Sequence, residues 1–340
     1  IIAFLVTALL SYIFKNIIFK SLDNAPLFKS YFYYIYPIAF FFSINAILDS
    51  YFRSILLAHV SVFFREFLAR ILSSIVIIGY GLELYSFKGF MIGFTGIYAF
   101  NFLVSIIYIK TQTDHNILFP FKIFKLIDKK EFLEFAGYVF IASAAGVLVI
   151  QVDKMMITSI IDESQTAIYA LAVYLATIIE APRRALLQSA APLISKYWQQ
   201  QDFSSLKSIF TKSSINLQIV GSILFLLIWS SIDDIYLIIP KESIYAKGKL
   251  VVLYIGLTKL ITMTFGLHNE IISYSQKYRY NLYLSIFLAL LTISLNYLLV
   301  PKYGIKGAAI ATLITFSTMN VIKQIIIWVE FRFNQFTSKN

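Results

Sequence analysis

The sequence predicts an all-α fold, a polytopic bundle of transmembrane helices. Apolar runs long enough to cross a bilayer recur along the whole chain of 340 residues. Hydrophobic residues make up 59% of the chain and charged residues 14%, which is more apolar surface than the core of a water-soluble protein of this size buries. Runs such as 219–229 do not alternate apolar and polar residues, as the strands of a membrane barrel would. Helices are therefore expected.

Ten spans are expected, because a helix needs about 20 apolar residues to cross the hydrocarbon core. In chain order they cover 1–19, 35–57, 66–82, 90–109, 134–161, 165–188, 213–232, 249–272, 280–300 and 305–330. Charged residues interrupt or flank the second and third spans, which gives these two the weakest signal. The first apolar run has neither a Met nor a basic flank before it, so we expect a fragment whose N-terminal helices are missing.

The net charge of +11 indicates a membrane rather than a nucleic acid as the partner, because the basic residues lie mainly between spans and form no single patch. With the more basic loops inside, the cytoplasmic segments are 110–133, 189–212, 273–279 and the C-terminus. The loops on the opposite side are 162–164, 233–248 and 301–304, and they contain several acidic residues.

The longest loop divides the chain into two predicted lobes. A partial N-terminal lobe of four helices covers 1–110, an amphipathic cytoplasmic linker 111–133, a six-helix C-terminal lobe 134–332 and a cytoplasmic tail 333–340. An internal repetition favours this division, since Lys88-Gly89 opens the fourth span and Lys306-Gly307 opens the last. A duplicated six-helix unit would place two helices before residue 1, and transporters are often built from such repeats.

Charged side chains inside spans are functional candidates, because each one costs roughly 2.5–3.5 kcal/mol to insert. Asp153 and Lys154 are the deepest of them. Neighbouring residues point in different directions on a helix, so the two need not pair with each other. In one interpretation, both face a cavity, where they hold an anionic headgroup or relay a cation. In the other, they are structural: one forms an ion pair with a neighbouring helix, or the lysine extends to the membrane interface.

A second candidate group lies near the end of the span 165–188. Glu180 and Arg184 are four residues apart and are expected to pair, which leaves Arg183 free to face a cavity. Pro182 removes a backbone hydrogen bond and should bend the helix. Guanidinium groups suit phosphate because they donate two parallel hydrogen bonds. The alternative is that both arginines mark the cytoplasmic end of this helix.

Single ionisable residues complete the candidates. Lys259 is the strongest of them, because apolar turns flank it, and Arg53 is a further cavity candidate. Other such residues, among them His268, Glu270 and Lys323, are expected mostly at the membrane interface. The chain has no cysteine and three widely separated histidines, so no metal site and no cofactor are predicted. It also has no Gly-Lys-Thr/Ser phosphate loop, which gives no support to an ATP-driven pump.

Two stretches carry a resemblance to a known family. The first contains Asp153-Lys154, Ala167-Ile-Tyr169-Ala-Leu-Ala172, Ala185-Leu186 and Pro192-Leu-Ile-Ser195. The second runs from Leu295-Asn296 through Pro301-Lys-Tyr-Gly304 to Gly307-Ala-Ala-Ile-Ala-Thr312. Together they resemble the polysaccharide (O-antigen type) flippases of the MATE-like superfamily, although Lys154 and Ala167 stand where that family commonly has Arg and Gly. We expect Pro301 and Gly304 to form a tight turn, after which small residues let the last helix approach a neighbour closely.

The resemblance implies a transporter rather than an enzyme, with twelve helices in two lobes, of which this chain would hold the third to the twelfth. It implies a multi-pass protein of the bacterial inner (cytoplasmic) membrane that flips a polyprenyl-pyrophosphate-linked oligosaccharide by alternating access for polysaccharide or lipopolysaccharide O-antigen synthesis. Membrane lipids, a glycan polymerase and glycosyltransferases would be its other partners. We expect Lys154, Arg183, Arg184 and Lys259 to pair with the pyrophosphate.

Two alternatives remain open. A cation-coupled small-molecule (multidrug) exporter of the same superfamily would use Asp153 as its cation or proton site and should have a net acidic cavity. A membrane glycan polymerase or ligase should carry a large outer loop with catalytic Arg, His or Glu residues, whereas the loop 233–248 is short and contains no histidine.

Overall fold

The structure is a computed structural model that describes residues 2–55, 57–112, 147–149, 151–275 and 279–332. All regular secondary structure in these ranges is helical, which confirms the predicted all-α fold. The chain forms two compact units, 1–128 and 129–340. Their boundary falls in the predicted linker, of which 113–133 lies outside the described residues.

The first unit contains seven described α-helices and two short segments of other helical types. The α-helices are α1 (Ile2–Ile13), α2 (Lys15–Ser21), α3 (Pro26–Tyr31), α4 (Ile35–Ser54), α5 (Ala58–Val62), α6 (Ala69–Gly81) and α7 (Phe87–Gln112). A 3₁₀ turn over Phe32–Tyr34 joins α3 to α4, and a π-helical turn over Phe63–Leu68 joins α5 to α6.

The second unit contains ten described α-helices. They are α8 (151–160), α9 (Glu163–Thr177), α10 (Ala181–Gln199), α11 (Phe203–Ser230), α12 (Ile232–Ile238), α13 (Glu242–Tyr245), α14 (Lys249–Thr264), α15 (His268–Tyr274), α16 (Arg279–Tyr303) and α17 (Ile305–Phe331). A 3₁₀ turn over Ile178–Glu180 joins α9 to α10, and Pro182 lies in the first turn of α10.

Six of the described helical segments are long and apolar enough to cross a membrane. They are Pro26–Phe52, Phe87–Thr111, Glu163–Leu187, Phe203–Ser230, Tyr280–Tyr303 and Ile305–Phe331. Two bent pairs, Phe4–Ile13 with Lys15–Ser21 and Glu242–Thr264 with His268–Tyr274, raise the number to eight if each pair is one span. These eight match eight of the ten predicted spans, so the protein is a multi-pass membrane protein.

Two predicted spans are not among these eight. The helix over 66–82 does not qualify, because three charged residues, Arg65, Glu66 and Arg70, occupy the π-helical turn and the start of α6. Of the predicted span 134–161, only 147–149 and 151–161 are described. The N-terminal half of that prediction therefore lies outside the described residues.

The last two helices meet in the tight turn predicted from the second motif. Gly304 is the only residue between α16 and α17, and its φ of +61° favours glycine. A Cβ atom added to Gly307 would lie 2.2 Å from the carbonyl oxygen of Leu299. The backbones of α16 and α17 are therefore in direct contact, and the predicted close approach is confirmed.

The outer surfaces of the helices are apolar. In the second unit the largest core cluster includes Ile157, Tyr169 and Ala308, whereas large apolar side chains such as Leu226 and Trp328 are exposed. Water would make such exposure unfavourable, but lipid tails solvate these side chains well. The packing thus agrees with a helix bundle whose periphery faces a bilayer.

Candidate functional site

The candidate residues of the second unit fall into two polar groups. The Asp153 cluster consists of Asp153, Tyr169, Asn296 and Thr312. The ionic cluster consists of Glu180, Arg183, Arg184, Lys259, Glu270 and Lys323. Both are built from side chains on helices that are far apart in the sequence, and each is described in turn.

Asp153 is buried on α8, with 6% of its surface exposed. Its Oδ2 accepts a hydrogen bond of 2.8 Å from the hydroxyl of Tyr169 on α9 and another from the hydroxyl of Thr312 on α17. Its Oδ1 accepts a hydrogen bond of 2.7 Å from the amide of Asn296 on α16. All three donors are uncharged, so the carboxylate is satisfied by hydrogen bonds and not by a cation bonded to it.

Asn296 leaves one polar atom of this cluster unpaired. Its side chain is fully buried, and among the described residues its Oδ1 has no hydrogen-bond partner. A buried acceptor without a partner is unfavourable. The unpaired Oδ1 belongs to the same side chain whose amide nitrogen donates to Asp153. A carboxylate, an amide oxygen and two hydroxyls therefore come together. Such a set of oxygen atoms can take up a proton or a small cation.

The partners of Asp153 are the polar residues of the two motifs. Tyr169 belongs to the first resembling stretch, and Asn296 and Thr312 belong to the second. The sequence pattern contained these residues but gave no sign that they converge on one carboxylate, because Asn296 and Thr312 are 143 and 159 residues away from it. Their shared contact gives the spacing of both motifs a physical reason.

Lys154 lies apart from both clusters. Its Nζ atom donates to Oε1 of Gln151 at 3.2 Å, on the same helix. Asp153 and Lys154 thus point in different directions, as neighbours on a helix should. Lys154 is partly exposed. This position favours the interpretation in which its side chain extends to the membrane interface over the one in which it faces a cavity.

Glu180 is the centre of the ionic cluster. It ends the 3₁₀ turn before α10, and its side chain is 14% exposed. Its Oε2 accepts a hydrogen bond of 2.7 Å from Nζ of Lys259 on α14, and its Oε1 lies 3.5 Å from Nη1 of Arg183. One carboxylate therefore pairs with two cations from different helices.

Arg183 lines a cavity, as predicted, but it is held from several sides and is not free. Its side chain is 13% exposed, donates to the carbonyl oxygen of Gly266 at 3.1 Å and lies 3.2 Å from Glu270. Arg184 is instead 61% exposed, and its Nη2 is 3.9 Å from Glu180. The predicted pair of Glu180 and Arg184 is therefore present, and Arg183 pairs with the same carboxylate, because residues three and four positions further along a helix both face the first.

The residues expected mostly at the interface contribute to a cavity. A cavity of about 390 Å³ is lined by Glu180, Arg183, His268, Glu270 and Lys323, among other residues. His268 is buried, and its Nε2 is 3.1 Å from Oε1 of Gln324. Nζ of Lys323 donates to Oδ1 of Asn269 at 3.0 Å. Sequence reasoning noticed these residues one by one, but their common cavity depends on contacts between α10, α15 and α17.

The ionic cluster has more cations than carboxylates. Arg183, Arg184, Lys259 and Lys323 face Glu180 and Glu270, so the cluster carries an excess of two positive charges. Arg183 and Lys259 have close carboxylate partners. The excess therefore resides on Arg184, whose contact is long, and on Lys323, whose bond is to a neutral amide.

Helix α17 contributes side chains to both clusters. Thr312 belongs to the Asp153 cluster, and Lys323 to the ionic cluster, on the same side of the helix. Between them Asn320 donates to the hydroxyl of Thr262 on α14 at 3.2 Å. A polar contact between α14 and α17 therefore lies between the two clusters along the chain of α17.

Of the predicted cavity residues, the structure brings Glu180, Arg183, Arg184 and Lys259 together, whereas Asp153 belongs to a separate cluster. Arg53 lies on α4 of the first unit, and its side chain is outside the described residues. Comparison of the chain with family models, with curated proteins and with solved structures returns no significant match.

Proposed function

We propose that this protein flips a polyprenyl-pyrophosphate-linked oligosaccharide across the bacterial cytoplasmic membrane and works by alternating access as a transporter, not as an enzyme. The observation that carries the proposal is the ionic cluster. It joins four cations and two carboxylates among membrane-spanning helices, and two of the cations, Arg183 and Lys323, line a cavity. Charge inside a membrane is costly and normally serves an ion or substrate path. The resemblance of the two motifs to the polysaccharide flippases supports the same cargo.

The cations of the cluster have two roles in this proposal. Lys323 lines the cavity and binds the diphosphate there, because charge-assisted hydrogen bonds to phosphate are strong. Arg184, which is 61% exposed and outside the cavity lining, carries the second charge of the excess. Arg183 and Lys259 are oriented by Glu180 and Glu270. A phosphate oxygen that enters the cavity competes with these carboxylates for the same donors, and water can then replace it when the cavity opens. Lys154 is not part of this site, since it bonds Gln151.

Asp153 supplies a group for ion coupling. Net transport needs a source of energy, and the sequence has no phosphate loop for a nucleotide. A buried carboxylate with uncharged donors and the unpaired Oδ1 of Asn296 beside it can bind a proton or a small monovalent cation. We assign the coupling ion to this cluster. Glycosyltransferases and a glycan polymerase would supply and consume the cargo.

The Asp153 cluster also favours the second candidate, a cation-coupled exporter of small molecules. The two candidates differ in the charge of the cargo. The positive excess of the ionic cluster favours an anionic lipid over a cationic drug. A glycan polymerase or ligase ranks below both, because the loop 233–248, predicted to face outward, is short and contains no histidine.

The test is flipping by the purified protein in liposomes that contain a lipid-linked oligosaccharide, with a lectin added outside to detect the glycan. Lys323→Met should lower the flipping rate by roughly tenfold or more, because a charged hydrogen bond to phosphate is lost. Lys196→Met is the matched control, since Lys196 is exposed at the end of α10, and it should keep the wild-type rate.

Full flipping by Lys323→Met would contradict the assignment of the phosphate site. Absence of flipping by the wild type, together with ion-driven uptake of a cationic dye, would contradict the flippase and support the exporter. Both assays use the same vesicles, and protein content is measured in each preparation.

A further inference from the structure

The first unit contains a polar cavity that the proposed phosphate and ion sites do not use. It has a volume of about 320 Å³ and lies where α4, α7 and the π-helical turn meet. Asn45 and Asp49, one turn apart, line it from α4, and Asn101 and Ser105, also one turn apart, line it from α7. The helical spacing thus points four polar side chains into one space between otherwise apolar spans.

One of these side chains lacks a partner for its buried acceptor. Asn101 is 7% exposed, and its Oδ1 has no hydrogen-bond partner in the part of the chain that the structure describes. The neighbouring Asn45 differs, since its amide donates to the carbonyl oxygen of Tyr98 at 3.0 Å. Burial of an unpaired amide oxygen is unfavourable, so Asn101 offers a ligand with a hydroxyl or N–H group an acceptor that no described residue uses.

The charges of this cavity compensate each other. Oδ2 of Asp49 is 2.9 Å from Nη1 of Arg65, and its Oδ1 accepts a hydrogen bond of 2.6 Å from Ser61. The cavity therefore carries no net charge, in contrast to the ionic cluster. An ionic ligand would lack a counter-charge here, whereas hydroxyl groups would find both donors and acceptors.

Aromatic rings form the rest of the wall. Phe42, Phe64 and Tyr98 line the cavity, and the rings of Phe42 and Tyr98 pack edge to face with centroids 6.1 Å apart. Phe64 and Arg65 belong to the π-helical turn over Phe63–Leu68, a rare geometry that occurs often at functional sites. Apolar ring faces beside amides suit a ligand with one apolar face and hydroxyl groups at its edge.

We propose that this cavity binds a sugar ring, a neutral hexose or an N-acetylhexosamine. Aromatic rings would pack on its C–H face, and Asn101, Asn45 and the Asp49–Arg65 pair would bond its hydroxyls. Ligand cavities have volumes of roughly 300–1,000 Å³, so the site holds one ring. The choice of a sugar among neutral polyhydroxyl ligands rests on the proposed function, in which the cargo carries a glycan.

The experiment measures the binding of free sugars to the full chain in lipid nanodiscs by saturation-transfer NMR. Galactose, rhamnose and N-acetylglucosamine are the probes, and inorganic phosphate is the charged comparison. At least one sugar should bind the wild type, and Asn101→Leu should reduce its signal severalfold. Asn16→Leu, an equal change at an exposed position of α2, should leave the signal unchanged, and Ser105→Ala provides a milder second change in the cavity.

Each result decides the inference. It is overturned if no sugar binds the wild type. It is also overturned if correctly folded Asn101→Leu and Ser105→Ala both bind sugar as the wild type does. A signal that only phosphate gives, and that Asn101→Leu removes, would overturn it as well. Flipping of lipid-linked oligosaccharide by a wild type that binds no sugar would overturn this site and leave the proposed function intact. Sugar binding that depends on Asn101, in a protein that flips nothing, would overturn the function and support the site.

Discussion

The two clusters of the second unit bury carboxylates in opposite ways. Glu180 and Glu270 are paired with arginine and lysine side chains, whereas Asp153 accepts three hydrogen bonds from uncharged groups. A buried charge is tolerated when it is paired or well hydrogen-bonded. The ionic cluster compensates charge with charge, so its members depend on one another. Asp153 has no cation bonded to it, so under the proposed function an ion could bind and leave without breaking an ion pair.

The largest expected effect is on the ionic cluster. Glu180→Gln leaves Lys259 and part of Arg183 without their carboxylate, and removing one partner of a buried ion pair costs about 3–5 kcal/mol. We expect a much lower melting temperature in detergent. Glu180→Gln combined with Lys259→Met should recover most of the stability, because both charges are then absent. Glu242→Gln, at an exposed position of α13, is the control and should change nothing.

A melting temperature of Glu180→Gln close to that of the wild type would show that the cluster does not depend on mutual compensation. Equal losses in the single and double variants would show instead that Glu180 acts through packing and not through its charge.

A smaller loss of stability is expected in the Asp153 cluster. Asp153→Asn keeps the shape but places an amide N–H among three donors, which disturbs hydrogen bonds at a cost of about 1–3 kcal/mol. Under the proposed function, flipping driven by an ion gradient should be lost, because the carboxylate that binds the ion is gone. Melting curves and flipping rates with and without a gradient of protons or Na⁺ measure the two effects separately.

Ion-driven flipping by Asp153→Asn at the wild-type rate would remove Asp153 from the coupling mechanism. A loss of stability as large as that of Glu180→Gln would remove the distinction between the two clusters.

The smallest effect is expected at Arg184. Its contact with Glu180 is 3.9 Å long and its side chain is 61% exposed, and exposed ion pairs contribute about 0–1 kcal/mol. Arg184→Ala should therefore change the melting temperature little, whereas Arg183→Ala should lower it clearly, since Arg183 is bonded to Glu270 and Gly266. The reverse order would show that the stability of the cluster depends on Arg184 and not on Arg183.

The spans and the fold class could be predicted because they depend on local composition. Eight of the ten predicted spans match described segments, and the turn at Gly304 followed from its motif. The ionic cluster could not be predicted in full, because Lys259 and Glu270 lie 79 and 87 residues from the groups that they bond. The pair of Glu180 and Arg184 followed from their spacing, but the bonds of Arg183 to Glu270 and Gly266 could not be foreseen, because these partners are more than 80 residues away.

The short connection at Gly304 has a mechanical consequence for Asp153. With one residue between them and their backbones in contact at Gly307, α16 and α17 must move together. Asn296 and Thr312 bond different oxygens of Asp153 from these two helices. A sliding of α8 against this hairpin would stretch both bonds at the same time. Under the proposed function, the affinity of the carboxylate for an ion would then depend on the position of a single helix.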